Sequence, residues 1–281
     1  VTSPIPEILG LIAGNGRLPF VFAEAARARG VSVAAVAIRE ETDPALEGRV
    51  DRLGWFHIGQ LSSMIDFLKS AGCGEAVMAG QLRLSHLFDD WDALKADPLA
   101  LDLFSRMADR RGDSVLAAVA DLLEAQGIRL RESTLLLEES VARPGPLTPR
   151  VPTLEEEGEI AFGWRMAKAL AELAIGQTVV VKRRAVVAVE GVEGTDACIR
   201  RGGELGGVGI VVVKVSKPSQ DLRFDLPVVG PRTVRALADA RAAVMAVEAD
   251  KTLVLDRREM VELAEKEGVA LVALRGPGHA E

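Results

Sequence analysis

The chain has 281 residues, a formal net charge of -7 from 34 Lys and Arg against 41 Asp and Glu, 48% hydrophobic residues and 4% aromatic ones, with no Tyr. An acidic, aromatic-poor chain lacks both the broad basic surface and the stacking platforms that nucleic-acid binding needs, so no nucleic acid is expected as a partner. The length suits two medium domains, each large enough for its own core.

The first half alternates short apolar runs with helical patterns: EILGLIA, PFVFAEAARARG, VSVAAVAI, LSSMIDFLKSAG, EAVMAG, a polar-apolar stretch to about 126, and IRLRES. This alternation predicts a parallel sheet covered on both faces, an N-terminal Rossmann-like domain. GLIAGNGRLP follows the first strand and places Gly14, Asn15 and Gly16 where backbone N–H groups can face a phosphate. A dinucleotide fingerprint would have a third glycine where Pro19 stands, although Glu40 after the second strand resembles a ribose-binding acid. A glycine turn without a ligand explains the loop equally well. In AVMAGQLR, Gly80, Gln81 and Arg83 leave another strand and are candidates to sit beside the first loop. Asp113 reads as an N-cap ahead of a helical run, with ligand contact as the lesser alternative.

ARPGPLTPRVPT, residues 142–153, has four prolines in twelve positions and predicts a linker between a domain 1–141 and a domain 154–281. The second domain opens with a Thr153–Glu156 capping box, and Glu155, Glu156 and Glu157 suit the positive end of a helix dipole better than a metal. Further strand and helix patterns predict a mixed α/β domain. VEGVEGTDACIRRGGELGG supplies Glu190, Glu193, Thr195, Asp196, Arg200 and Arg201, with Thr195 or Asp196 as helix cap.

KVSKPSQDLRFDLPVVGPRT, residues 214–233, is the densest concentration of charge. An extended segment would put Asp221, Arg223 and Asp225 on one face and Leu222, Phe224 and Leu226 on the other, as in a half-buried edge strand. A loop would instead let Lys214, Lys217, Arg223 and Arg232 converge on a phosphate. In the extended form Asp221 and Asp225 stand about 13 Å apart and cannot share one ion.

Cys73 and Cys198 show no metal or disulfide spacing, and His57, His86 and His279 offer little material for a His-rich centre or a triad, so any metal falls to carboxylates. His57 and His86 read as packing or surface residues. No apolar run approaches the roughly 20 residues needed to span a bilayer, and the opening VTSPIPEILG does not read as a signal peptide, so a cytoplasmic protein is expected.

GLIAGNGRLP, VMAG, EGTDACIRRGG and above all KPSQDLRFDLP resemble the UDP-2,3-diacylglucosamine pyrophosphatase family of the LpxI type over nearly the whole chain. The resemblance implies a magnesium-dependent hydrolase of lipid A biosynthesis, with Mn2+ as a substitute ion, that splits UDP-2,3-diacylglucosamine into UMP and 2,3-diacylglucosamine 1-phosphate (lipid X). It implies a UDP-binding N-terminal domain and a catalytic C-terminal domain for the acylated sugar. On that basis Asp225 is magnesium ligand or water-orienting base, Asp221 or Asp196 the second metal carboxylate, and Lys214, Lys217 and Arg223 the catalytic phosphate partners. Glu190, Thr195 and Gln220 support them, with Arg200 and the loop residues as substrate contacts. Peripheral contact with the inner membrane and a homodimer are left open. The competing classes are a nucleotide-dependent oxidoreductase with a variant glycine loop and a noncatalytic UDP-sugar or lipid carrier.

Overall fold

Near-continuous runs of small and branched apolar residues form the strands, as buried parallel sheets require. The computed structural model describes residues 4–82, 97–107, 112–218 and 220–276, of which 112 and 113 in their backbone only. The chain divides into two units, Val1–Leu137 with Leu222–Asp225, and Glu138–Asp221 with Leu226–Glu281.

In the first unit β1 (Ile8–Ala13), β2 (Ser32–Ile38), β3 (Arg52–Phe56), β4 (Glu75–Ala79) and β5 (Arg129–Arg131) make one sheet of order β3-β2-β1-β4-β5. Every pairing is parallel, and β1 is flanked by β2 and β4 in registers that oppose Ile12 to Val36 and to Met78. The Rossmann-like expectation is met. The order reverses between β1 and β4, so the loops after these two strands open at a topological switch point, where such sheets bind ligands. Helix α1 (Leu18–Ala28) buries Phe22 completely, worth about 2 kcal/mol of apolar burial. Helices α2 (Leu61–Ser70), α3 (Pro98–Arg106) and α4 (Gly112–Ala125) share a core with Ile12, Ile38 and Met78. Asp97 caps α3 through the amides of Leu99 and Ala100, both at 3.0 Å.

The second unit has a mixed sheet, as the sequence predicts. It is built from β6 (Gly145–Pro146), β7 (Thr178–Lys182), β8 (Ala185–Val189), β9 (Val211–Lys214), β11 (Val244–Glu248) and β13 (Ala270–Leu274) in the order β6-β13-β11-β9-β7-β8. The β9-β11-β13 centre is parallel, and β7 runs antiparallel to β8 and β9. A short parallel pair, β10 (Val228–Val229) with β12 (Leu253–Val254), stands apart. Helix α5 (Leu154–Glu172) carries the expected Thr153–Glu156 capping box and packs Ile160 and Trp164 in one core cluster. Helices α6 (Thr195–Gly206), α7 (Pro231–Asp239) and α8 (Arg257–Glu267) share the other. The β7–β8 turn places Arg183 and Arg184 at φ 51 and 58, a left-handed pair that glycine or asparagine adopts more readily.

Two sequence expectations change here. Residues 142–153 are no free linker, because Gly145 and Pro146 pair with Ala273 and Val272, the Leu271 amide donates to Thr148 Oγ1 at 2.9 Å, and Ala142 is fully buried. Prolines fit there because β6 is an edge strand that owes few ladder bonds. Residues 221–226 are not an edge strand either. Leu222, Arg223 and Phe224 form a turn, so the separation imposed on Asp221 and Asp225 by an extended chain does not apply.

Candidate active-site loci in the two units

In the first unit the loops after β1 and β4 are joined. The Gly14 amide donates to Ala79 O at 2.8 Å, the Asn15 amide to Gln81 O at 2.8 Å, and the Gln81 amide to Asn15 O at 3.1 Å. Gly80 has φ +96, and a Cβ there would lie 2.5 Å from Asn15 O; a Cβ on Gly14 would lie 2.4 Å from Gln81 O. Glycine at both positions is therefore a condition of the loop pairing. Gly16, at φ +91, has open space around its missing Cβ and leads into α1. The structure thus brings Gly14, Asn15, Gly16, Gly80 and Gln81 together at the switch point.

A second rim lies at the end of β2. Asn15 Nδ2 donates to Glu41 Oε2 at 2.6 Å, and Thr42 Oγ1 donates to Ala13 O at 2.6 Å while receiving the Ile38 amide. His57, expected to be a packing or surface residue, pairs its Nδ1 with the Glu40 carboxylate. Asp113 falls inside α4 rather than ahead of it, and its side chain lies outside the described residues, as do Arg83, His86 and His279.

Residues Leu222–Asp225 belong to this unit. Phe224 packs against its core, and the Ser133 amide donates to Leu222 O at 2.9 Å. The Ser133 hydroxyl, 2% exposed, lies 2.7 Å from Met78 O and 2.8 Å from Arg223 O. One buried hydroxyl therefore pins the turn that carries Arg223 and Asp225 to β4, two residues before Gly80. Arg223 faces Glu124 at 3.9 Å and lies 5.8 Å from the Phe224 ring.

The second unit gathers a different set. Lys214 Nζ donates to Thr195 Oγ1 at 2.9 Å, and the Thr195 hydroxyl donates to Glu190 Oε1 at 2.8 Å. Lys214 and Glu190 are both buried. Their polar chain ends at the first residue of α6, whose N-cap is Gly194 with no side-chain cap, so neither Thr195 nor Asp196 caps it. Asp196 lies 3.7 Å from Arg232. The Lys217 amide donates to Gln220 Oε1 at 2.8 Å, closing the start of the loop. Arg200 turns aside to Asp239 at 3.9 Å and Arg201 pairs with Glu193.

Three residues here escaped the sequence reading. Glu248, 5% exposed at the end of β11, accepts from Lys168 Nζ at 2.6 Å, from the Ser216 amide at 2.8 Å and from Ser216 Oγ at 3.0 Å. Burial alone would raise its carboxyl, but these bonds and Lys251 hold it below the ordinary carboxylate value. Lys168 Nζ also donates to Ser216 O at 3.1 Å, so both backbone polar groups of Ser216, the residue before Lys217, are held. A charged residue ending the apolar run AVMAVE was the available signal.

Among the described residues no three His, Cys, Asp or Glu side chains gather as a metal cage. A hard divalent ion still suits this oxygen donor set, since Mg2+ is commonly held by one or two carboxylates together with substrate phosphates and water. No helix of the described residues is long and apolar enough to cross a membrane.

Comparison with known proteins follows the same division. A family model described as the LpxI N-terminal domain matches residues 8–140, and one described as the LpxI C-terminal domain matches residues 143–272. The UDP-2,3-diacylglucosamine pyrophosphatase LpxI of Caulobacter vibrioides is 31% identical over 279 residues, covering 95% of this chain and 97% of that protein. A biotin carboxylase domain of a thermophilic 2-oxoglutarate carboxylase bound to ADP aligns with 70% of this chain and 33% of its own at 12% identity, with a TM-score of 0.28. The corresponding Hydrogenobacter thermophilus domain dimer aligns with 83% of this chain and 40% of its own at 12% identity, again with a TM-score of 0.28. At that level neither bears on fold or function.

Proposed function

We propose that this chain, which belongs to the LpxI family, hydrolyses the pyrophosphate bond of UDP-2,3-diacylglucosamine to UMP and lipid X. The observation that carries the reading is the Ser133 hydroxyl, which ties the turn of Arg223 and Asp225 to the strand that ends in the glycine loop. A carboxylate and a guanidinium thereby sit on a turn anchored to β4, two residues before Gly80.

In this reading the Gly16 amide and the start of α1 face the nucleotide phosphates, the Gly14 and Asn15 amides being spent on the loop pairing, and Glu40 and Glu41 accept from the ribose hydroxyls. Water attacks one phosphorus, Asp225 takes its proton, and the bridging P–O bond breaks with its electron pair leaving on the departing phosphate. Lys214, oriented by Thr195 and Glu190, neutralises phosphate charge together with Lys217 and Arg223. A magnesium ion would supply charge stabilisation at the phosphoryl oxygens, with Asp225 of the first unit and Asp221 and Asp196 of the second as the carboxylates available to it. The sparse carboxylates favour an ion that arrives with the pyrophosphate. The acylated sugar falls to the second unit, and contact with the inner membrane is peripheral.

The test is a mass-resolved assay of the purified protein with UDP-2,3-diacylglucosamine, with and without chelator. UMP and lipid X in equal amounts, formed only without chelator, are expected. Intact substrate under every condition overturns the hydrolytic reading, and full turnover in excess EDTA overturns the ion.

A further inference from the structure

We propose that Ser133 is a positioning residue of the reaction: its amide leaves the sheet to hold residues 222–223, and so sets the orientation of the turn that carries Arg223 and Asp225. The reaction it serves is the hydrolysis proposed above; the hold itself is read from the geometry of the first unit alone.

Strands β4 and β5 are parallel in the register Glu75↔Arg129, Ala76↔Leu130 and Val77↔Arg131, and the Arg129 amide donates to Gly74 O at 2.9 Å. Donors and acceptors of a parallel ladder recur at every second residue, so the donor due to Met78 O is the Ser133 amide. That amide donates instead to Leu222 O at 2.9 Å, and the Ser133 hydroxyl stands in for it 2.7 Å from Met78 O. The turn has displaced the last rung of the β4–β5 ladder.

The hydroxyl carries one proton, yet a second carbonyl, Arg223 O, lies 2.8 Å from it. The two acceptors share that proton at a residue 2% exposed, where an unpaired carbonyl costs more than an ordinary hydrogen bond returns. Without the hydroxyl, Met78 O would draw the Ser133 amide back into the ladder, and the turn would lose both ties together.

Phe224 keeps the segment against the core of the first unit, but apolar contact is non-directional. Hydrogen bonds to the carbonyls of residues 222 and 223 do have direction, and each carbonyl fixes its peptide plane. The direction in which the chain enters Asp225 is set by those two planes. Displacing a catalytic group by about 1 Å can cost a hundredfold in rate, so turnover reads orientation where stability reads attachment.

The test compares Ser133→Ala with Ser133→Thr in the full-length protein by turnover of UDP-2,3-diacylglucosamine, calorimetric titration with UDP, and hydrogen exchange mapped by mass spectrometry. Ser133→Ala should lower kcat by about tenfold or more. It should leave UDP affinity within about twofold, because β4 regains its ladder bond. Exchange at amides 222–226 should quicken by about tenfold, with β1 unchanged. Ser133→Thr keeps the hydroxyl and should recover most of the rate, and in an Asp225→Ala background Ser133→Ala should cause no further loss. An unchanged kcat, an additive loss in the double variant, equal slowing in a folded Thr variant, or a Ser133→Ala protein that does not fold each overturns the positioning role. Hydrogen exchange needs no turnover. An inactive parent whose amides 222–226 still lose protection in Ser133→Ala would fail the pyrophosphatase reading and keep the hold on the turn, whereas unchanged exchange overturns the hold.

Discussion

Lys168 Nζ and Glu248 Oε2, 80 residues apart in sequence, meet at 2.6 Å and together hold the backbone of Ser216. The pair fixes the exit of β9 from which Lys214 and Lys217 project. Because its bonds depress the Glu248 carboxyl, their contribution is fully present above the unfolded value near pH 4.3 and is lost as pH falls through the folded one. Glu248→Gln should cost about 1–3 kcal/mol at neutral pH, and its melting temperature should approach that of the parent as the solution is acidified below about pH 4. A constant gap between the two melting curves from neutral to acid pH would show that the charge contributes nothing.

Thr195 links Lys214 to Glu190. Thr195→Val keeps the shape and removes the hydroxyl, leaving the ammonium and the carboxylate without their bridge. Turnover is expected to fall by roughly tenfold to a hundredfold, with Thr195→Ser recovering most of it. Equal rates for the Val and Ser variants would assign the hydroxyl a structural role alone.

Asp225→Ala should lower turnover by roughly a hundredfold or more while binding of the intact substrate is retained. Rapid-quench turnover and equilibrium binding separate the two quantities. A comparable rate in a protein that melts near the parent would move the proton acceptor to Asp221 or Asp196.

The glycine loops make a graded prediction. Gly80→Ala meets Asn15 O and a positive φ, and should destabilise the first unit by about 2 kcal/mol or more and abolish UDP binding. Gly16→Ala meets only the positive φ, so its cost should be nearer 1 kcal/mol. Calorimetric titration with UDP, alongside melting, reads both.

Cys198 is fully buried, and that burial pushes its thiol up to about 12; Cys73 is raised for the same reason. Neither thiolate is populated at neutral pH, so both should resist iodoacetamide in the folded protein and react once denaturant exposes them. Alkylation of the native protein within minutes would contradict this.

What the sequence made legible follows physical locality. Gly14–Gly16 and Gly80–Gln81 could be read because a glycine at a strand exit has a local cause, and parallel alternation dictates that strand ends share an edge. Strand β3 was missed because RLGWF is a half-buried edge strand with a glycine at its centre and no apolar run. The Lys168–Glu248 pair and the Ser133 bridge are contacts across 80 and 90 residues, and no local spacing encodes them. The prolines of 142–153 misled for the opposite reason, since an edge strand and a linker tolerate them equally.

The return of Leu222–Asp225 to the first unit has a consequence for dissection of the gene. Expressed alone, residues 1–137 would lack Phe224 against their core and the carbonyls of Leu222 and Arg223 beside Ser133. The complementary fragment would carry those same four residues without their packing surface. A two-plasmid reconstitution divided after Leu137 therefore has to rebuild a discontinuous fold from both halves. Circular permutation, which keeps the 214–233 stretch covalently intact by joining the old ends and opening the chain elsewhere, preserves what a simple bisection destroys.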